Sequence, residues 1–499
     1  MMSRLLPQSL ILSALSKSSS KTFESYIVTS LFHFVNKLLL LFTDLLRASS
    51  LIKILIPLPW KSITIILFVI SLAIVPGYDA QQFSFWKYNL AETSTNSQAL
   101  QIGIVLFLIL LILLFVMLLA QYKKKPVTLP FLRIEILLLF FLAAAEISTI
   151  FSFNIHNSAV WLIKLLRGLV VYYIFSRLLL ERKHIMHIVY AFMFILLFEG
   201  VLAGLQFLQG GLLGLPIESQ SKIADVRQVL LPISGTSYFR IMGTLPSPSG
   251  LANYICLLLP ITITYAFSRS LMLRRISYIT IVVSFATLIL TLSRWGAIAS
   301  VLTFLLTILL MRRYMSVRLK NLLRAYIFIL IPFLILLWLN PVIKERFLEF
   351  SLNDASLNVR IPLAIESLYI LQNNPILGVG GNNFVHYLVN YDVTEALVSE
   401  TFPAPVHNFY LLLANETGLL GLMIFSLIFF EVVKNFLKRI RNMENEEKRM
   451  AIALFASLVS FLLYGLWEQR TINDHMAILF WMELGILVNL MYFRNRIAP

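Results

Sequence analysis

The 499-residue chain is 59% hydrophobic and only 13% charged, with a formal net charge of +16. A soluble core cannot absorb so much apolar sequence, whereas membrane spans of about 20 apolar residues each can. The positive charge does not indicate nucleic-acid binding, because the basic residues stand in small groups between apolar runs. The single cysteine, Cys256, excludes an intrachain disulfide and implies no metal cluster.

Residues 1–50 precede the first long apolar run and lack the pattern of a secretory signal. Their apolar side chains recur at helical spacing among polar residues, at Phe23, Tyr26, Ile27, Leu31, Phe34, Leu38 and Leu41. This pattern is typical of an amphipathic helix lying on the cytoplasmic membrane surface, with a further membrane span as the alternative.

The remaining sequence predicts an all-α polytopic membrane protein. Apolar runs of bilayer length predict about twelve spans, near 54–76, 101–121, 130–151, 158–180, 185–208, 249–268, 276–292, 294–311, 324–340, 408–433, 450–468 and 474–493. The seventh and eighth are short and form a tight helical hairpin. The chain thus divides into 1–50, nine spans within 51–340, a large extracytoplasmic loop at 341–407, and three spans with a short cytoplasmic tail within 408–499.

Charge predicts the orientation of these spans. With a cytoplasmic N-terminus, the cytoplasmic loops hold more than twice as many Lys and Arg residues as the opposite loops. Because positively charged loops stay in the cytoplasm, this asymmetry places the 341–407 loop on the outer face.

An ionisable residue stands where that loop enters the tenth span. His407 and Asn408 directly precede the apolar run FYLLLANETGLLGLMIFSLIFF, which predicts a helix long enough to cross a bilayer. An ionisable group at a membrane surface under a large loop indicates a functional site. The alternative for His407 is an interfacial histidine that bonds to a loop carbonyl.

Three basic residues on the outer side stand beside predicted turns. Arg240 opens RIMGTLPSPSGLAN, Arg294 lies at the turn of the predicted hairpin, and Arg360 precedes NPILGVGGNNF. Each arginine alone could bind lipid headgroups or pair with a carboxylate. Together with a histidine they favour an anion site, since guanidinium groups match phosphate oxygens with paired hydrogen bonds.

Charged residues inside the spans are secondary candidates. Lys164 and Arg167 lie on one face of the fourth span and should avoid lipid. They could line a groove for an anion, but pairing with Glu135, Glu146 or Glu199 is the favoured interpretation. Glu416 lies about two to three turns below His407 and could tune the site or bond across helices. Trp467, Glu468, Arg470, Asp474 and His475 form an outer polar cluster, and Gly418 and Gly421 indicate close packing.

Four stretches together resemble the O-antigen ligase and polymerase family, the Wzy-C superfamily. They are RIMGTLPSPSGLANYICLLLP, LTLSRWGAIAS, NPILGVGGNNF and HNFYLLLANETGLLGLMIF, in the family's order across roughly residues 100–490. The sequence departs from the family at PSPSG, which stands in place of the commoner Pro-Asn.

The resemblance implies a GT-C-like glycosyltransferase of the bacterial inner membrane, with its active site on the periplasmic side. The donor would be a glycan on undecaprenyl diphosphate, and the acceptor a sugar hydroxyl on a lipid- or glycan-linked partner. His407 would be the general base, and Arg240, Arg294 and Arg360 would bind the diphosphate. No cofactor and no metal ion are expected.

Two other classes of function are left open by the sequence. A small-anion transporter, of the bicarbonate type proposed for some members of the superfamily, predicts charges at mid-membrane and broken helices in two symmetric halves. A non-catalytic scaffold predicts that His407→Ala has no effect. The sequence does not distinguish a ligase from a polymerase, because the two differ only in the acceptor groove.

Overall fold

The computed structural model describes residues 60–74, 111–118, 132–178, 181–215, 218, 230–233, 236–245, 247–315, 341–348, 355–393, 404–468 and 475–492. The predicted surface helix within 1–50 and the predicted span at 324–340 lie outside these residues.

The described residues are mainly helical. The helices are α1 (Trp60–Ile74), α2 (Arg133–Ile150), α3 (Ile155–Arg177), α4 (Arg182–Gln209), α5 (Pro248–Tyr265), α6 (Leu271–Leu290), α7 (Arg294–Met315), α8 (Pro341–Leu348), α9 (Ala355–Asn373), α10 (Phe384–Tyr391), α11 (Phe409–Arg439), α12 (Asn445–Gly465) and α13 (His475–Tyr492). Residues 111–118 are also helical, and a 3-10 turn, Ile440–Asn442, extends α11.

Within the described ranges, six helices are long and apolar enough to cross a membrane: α3, α4, α6, α7, α11 with its 3-10 extension, and α12. A seventh apolar helix, α13, is shorter. These helices confirm a multi-pass, predominantly helical membrane protein. The structure is consistent with the predicted all-α class and adds one short antiparallel hairpin, in which β1 (Leu230–Ile233) pairs with β2 (Thr236–Phe239) in the register Leu230↔Phe239. The hairpin lies between the predicted spans 185–208 and 249–268, where the sequence predicted no strand.

The helices sort into a buried centre and an apolar exterior. The central helix α5 is buried along nearly its whole length and packs against α7 and α12, and α12 packs in turn against α13. Outer helices instead expose large apolar side chains, such as Leu208 at 81%, Ile163 at 65% and Phe430 at 64%. A face of this kind is unfavourable in water but suits contact with lipid chains.

The predicted helical hairpin is present, with longer arms than expected. Helices α6 and α7 have 20 and 22 residues and both qualify as candidate spans. Their turn is Thr291–Leu292–Ser293, with Leu292 at a φ of 53° and the Ser293 N–H donating to Thr291 Oγ1. Arg294 is therefore the first residue of α7, one position beyond the turn.

Helix α11 is a candidate span, as predicted, but it contains a break that the sequence did not predict. Gly418 has a φ of +72° and a ψ of 176°, a conformation that favours glycine and that interrupts the helical hydrogen bonds. The carbonyls of Asn415 and Glu416 instead accept from the N–H groups of Val379 and Gly380, at 2.8 and 3.1 Å. Hydropathy hides this break because long apolar stretches lie on both sides of the short polar group Asn415, Glu416 and Thr417 that precedes Gly418.

The described part of the 341–407 segment is largely helical. It contains α8, α9 and α10, and α9 packs against α11. Six buried residues form its own small core: Leu363, Ile370, Val379, Phe384, Leu388 and Val406. We call α9, α10 and the turn 374–383 the cap.

Contacts between connecting segments define two ends of the bundle. At one, the Phe153 N–H donates to Val379 O at 3.0 Å, and Asn408 Nδ2 donates to Leu466 O at 3.0 Å. We call it the histidine end. At the other, the basic end, Arg439 Nη1 donates to Met491 O at 3.0 Å and Arg449 Nη1 to Thr264 O at 2.7 Å. Among the described connections, residues 151–154 and 466–468 lie at the histidine end, and residues 266–270 and 440–444 lie at the basic end.

Candidate functional site

His407 is held at the histidine end by its two neighbours in sequence. Asn408 is the N-cap of α11, and its side chain accepts from the Leu411 N–H at 3.0 Å. On the other side, Val406 is buried in the core of the cap. A capping residue and a buried apolar residue fix the backbone between them, so the imidazole has a defined position.

A carboxylate faces this imidazole. His407 Nδ1 lies 3.8 Å from Glu468 Oε1, and the two side chains are 19% and 8% exposed. The glutamate follows α12, in the outer cluster that the sequence indicated only as a rim. The two groups form an ion pair whenever the imidazole is protonated.

Two of the predicted arginines meet around the turn between α6 and α7. Arg240 donates through Nε to Thr291 O at 2.9 Å. Arg294 donates through Nε to Arg346 O at 2.6 Å, and Arg346 Nε lies 3.3 Å from Leu292 O. These bonds orient the guanidinium planes, and Arg346 is a neighbour that the sequence did not single out.

The third arginine and the histidine share one short segment. The guanidinium carbon of Arg360 lies 5.4 Å from the ring centroid of Trp467, which precedes Glu468. Trp467 also stacks on Trp295, the residue after Arg294, at 3.5 Å between centroids and 28° between planes. The structure therefore brings His407, Arg294 and Arg360 together through common neighbours, and Arg240 joins them at the turn.

The Arg240 segment is fixed by buried polar side chains of α4. Gln206 accepts from the N–H groups of Met242 and Gly243 at 3.1 and 2.9 Å, and Glu199 accepts from the Thr244 N–H at 3.0 Å. The PSPSG stretch that follows starts α5, because Ser247 caps the helix with its hydroxyl 3.1 Å from the Gly250 N–H. The PSPSG sequence therefore still starts α5, although it departs from the family pattern.

Part of the chain that contains this site matches a known protein family. Residues 279–426 match the model of a family described as O-antigen ligase. This match confirms the resemblance to the O-antigen ligase/polymerase family. It covers Arg294, Arg360, His407 and Glu416, whereas Arg240, Lys164, Arg167 and the Trp467–Glu468 pair lie outside it. No curated protein matches the chain.

Within the part matched to the O-antigen ligase family, the turn 374–383 packs on the break in α11. Glu416 is buried, and its Oε1 accepts from the Asn382 N–H at 2.8 Å. The Trp161 side chain is a further hydrogen-bond partner of Glu416, and Lys164 is a cationic neighbour. Asn383 also bonds to Ser158, at 2.8 Å. This second cluster joins α3 to the cap.

This cluster places beside Lys164 a carboxylate that the sequence did not name as its partner. Lys164 faces Glu416, whereas Glu135 pairs with Arg177 at the basic end and Glu199 binds Thr244. Spacing along α3 predicted a carboxylate partner for Lys164 but could not identify it. Glu416 comes close because α11 is broken, and spacing along one helix does not report such a break. Arg167 is half-buried on the same helix.

One aromatic residue at the site had no sequence signal. The Tyr464 hydroxyl donates to Ser249 O at 2.8 Å and is also hydrogen-bonded to the Ser293 side chain. It thus connects α12, α5 and the turn before Arg294. A tyrosine near the end of an apolar run is common at membrane interfaces, so its position alone does not distinguish this role.

Proposed function

We propose that the protein is a metal-independent membrane glycosyltransferase. It moves a glycan from undecaprenyl diphosphate to the hydroxyl of an acceptor sugar. Family-level similarity to O-antigen ligases supports glycan transfer in the membrane. The observation that carries the finer proposal is the Trp467–Glu468 pair, which contacts Arg360 with one residue and His407 with the next.

The three arginines, Arg240, Arg294 and Arg360, bind the diphosphate of the donor. When the bond between the anomeric carbon and the phosphate oxygen breaks, negative charge develops on the leaving diphosphate. Cations fixed in advance at that oxygen stabilise the transition state more than the ground state. Carbonyl bonds to Arg240 and Arg294 supply this fixation, because they hold each guanidinium before the donor arrives.

His407 is the general base. The acceptor oxygen attacks the anomeric carbon, its proton passes to the imidazole, and undecaprenyl diphosphate leaves. Since Nδ1 faces Glu468, the proton is accepted at Nε2, and the carboxylate stabilises the imidazolium that forms. A positioned base contributes about 10²–10⁴-fold to such a reaction.

The arrangement in the membrane follows from charge. The histidine end faces the periplasm of the bacterial inner membrane, and the basic end faces the cytoplasm. With the spans predicted outside the described residues included, the chain forms about twelve spans of a GT-C-like bundle, capped on the periplasmic side by the 341–407 segment.

The glycan profile of a knockout strain tests this function and separates its two forms. Free lipid A–core together with accumulated polymer indicates a ligase, whereas single repeat units on the acceptor indicate a polymerase. Complementation with wild type restores the profile and complementation with His407→Ala does not, at equal protein levels. An unchanged glycan profile in the knockout contradicts the proposal.

Chelation tests the independence from metal ions. We expect transfer by the purified protein in proteoliposomes to continue at an unchanged rate in EDTA. Loss of transfer in EDTA, with recovery on addition of a divalent cation, contradicts that part of the proposal.

One observation favours a second candidate, transport of a small anion. Broken helices are a feature of transporters, and α11 is broken beside the buried Glu416 and its cationic neighbour Lys164. Transport predicts uptake of bicarbonate by proteoliposomes that His407→Ala leaves intact and Lys164→Ala abolishes. Transfer predicts the opposite dependence on His407.

A further inference from the structure

Three consecutive residues after α12 each contact a different part of the candidate site. Leu466 O accepts from Asn408 Nδ2 at 3.0 Å, beside His407. Trp467 stacks on Trp295, and Glu468 lies 3.8 Å from His407 Nδ1. We call Leu466–Trp467–Glu468 the bridging segment.

The bridging segment is held by its own helix. The N–H groups of Leu466 and Trp467 donate to the carbonyls of Leu463 and Tyr464, at 3.3 and 3.0 Å, so the segment continues the last turn of α12. Tyr464 anchors that turn to α5 through its bond to Ser249 O. Movement of the segment would therefore break contacts with two helices and with Asn408.

Trp467 makes two aromatic contacts of different kinds. Trp295 covers its ring at 3.5 Å, and the Arg360 guanidinium lies 5.4 Å from its centroid. Tryptophan is the aromatic side chain that attracts a guanidinium most strongly. Because Trp295 follows Arg294 directly, the stack also ties the start of α7 to Arg360.

We propose that Trp467 is a positioning residue that sets the distance between the base and the diphosphate-binding arginines. The proposal rests on the proposed function. Its geometric basis is that Trp467 and Glu468 are neighbours, with Cα atoms about 3.8 Å apart, so the contacts to Arg360 and to His407 cannot move independently.

Variants of Trp467 test the role in catalysis. We expect Trp467→Ala to lower kcat by about 10- to 100-fold, as small misplacements of reacting groups do, and to raise the KM for the donor. Trp467→Phe keeps a ring beneath Arg360 and should recover most of kcat. As a matched control, Phe455→Ala removes one ring of the Phe436–Phe455 stack, whose centroids are 4.0 Å apart, without touching the site. It should leave kcat and KM unchanged in the folded fraction.

A spectroscopic measurement separates this proposal from the proposed function. Stacked indoles produce an exciton couplet in circular dichroism, and Trp295→Phe and Trp467→Phe should each remove the same couplet. If the couplet is present but the wild type transfers no glycan, the proposed function is wrong, whereas the stacked geometry is not. If wild type is active and Trp467→Ala keeps its kcat and KM, or if Trp467→Phe is as damaged as Trp467→Ala, the positioning role is wrong.

Discussion

The two ends of the bundle differ in the residues that surround their cationic side chains. At the basic end, Arg177 forms an ion pair with Glu135, and the two side chains are only 4% and 6% exposed. At the histidine end, Arg240 and Arg294 contact backbone carbonyls, and Arg360 contacts a tryptophan ring. A carboxylate compensates the charge of an arginine, whereas a carbonyl or a ring orients the guanidinium. Arg439 and Arg449 also donate to carbonyls at the basic end. The comparison therefore teaches that the shared neighbours Trp467 and Glu468, and not carbonyl contacts alone, distinguish the histidine end.

The largest difference between the effect on transfer rate and the effect on stability is expected for His407→Ala. Removing the proposed base should lower the transfer rate by about 10²–10⁴-fold, while the melting temperature stays close to that of wild type, because the imidazole is partly exposed. The rate is measured with purified protein and a lipid-linked donor. A fully active variant would remove the functional distinction between the two ends.

The opposite outcome is expected for Arg177→Ala. Removing one member of a buried ion pair leaves Glu135 with an uncompensated charge and costs about 3–5 kcal/mol of stability. The rate per folded molecule should be unchanged, as measured by thermal unfolding and transfer on the same preparation. Replacing both residues, with Arg177→Met and Glu135→Leu, is the control and should recover most of the stability. A specific loss of transfer in the folded fraction would contradict a purely structural role.

The variant Arg360→Lys distinguishes paired guanidinium hydrogen bonds from the effect of a positive charge alone. We expect it to be nearly as damaging as Arg360→Ala, on the order of 10²-fold in transfer rate, because an ammonium cannot form two parallel bonds to a phosphate. Kinetics of the two variants side by side test this expectation. If the lysine variant keeps full activity, Arg360 does not bind the diphosphate through paired bonds.

The smallest effect is expected in the cap, at Glu366. Burial raises the pKa of this carboxyl above its ordinary value, the Val393 N–H lowers it, and nearby Asp392 raises it further. A raised pKa means that Glu366 contributes stability below its ordinary titration range, which is lost as the pH rises through the raised value. The melting temperature of Glu366→Gln relative to wild type should therefore increase from pH 5 to pH 8. A difference that stays constant with pH would contradict this assignment.

Apolar run length and the positions of basic groups predicted most of the fold. These features report lipid thickness and orientation, so α2 to α7 and α11 to α13 lie near the expected ranges. The break at Gly418 was not predicted, since it depends on hydrogen bonds from the cap 35 or more residues earlier in the chain. The β hairpin was missed because its strands of four residues are too short for a clear alternating pattern.

The sequence singled out charged residues of the candidate site but not the residues that contact them. His407, Arg294 and Arg360 stood out because ionisable groups are rare at membrane boundaries. Trp295 and Tyr464 carry no such signal, since aromatic residues are common at every membrane interface. Which carboxylate lies beside Lys164 also depends on tertiary geometry, which residue spacing along one helix does not encode.

Binding of undecaprenyl diphosphate tests the central claim most directly, because it separates holding the diphosphate from accepting a proton. Affinity for this lipid is measured on protein reconstituted in nanodiscs, for wild type, His407→Ala, Arg294→Ala and Arg177→Ala. We predict that the Arg294 variant loses most of the affinity, while the His407 variant binds like wild type but does not transfer, and the folded Arg177 variant binds normally. Equal affinity in all four proteins would contradict an anion site at the histidine end.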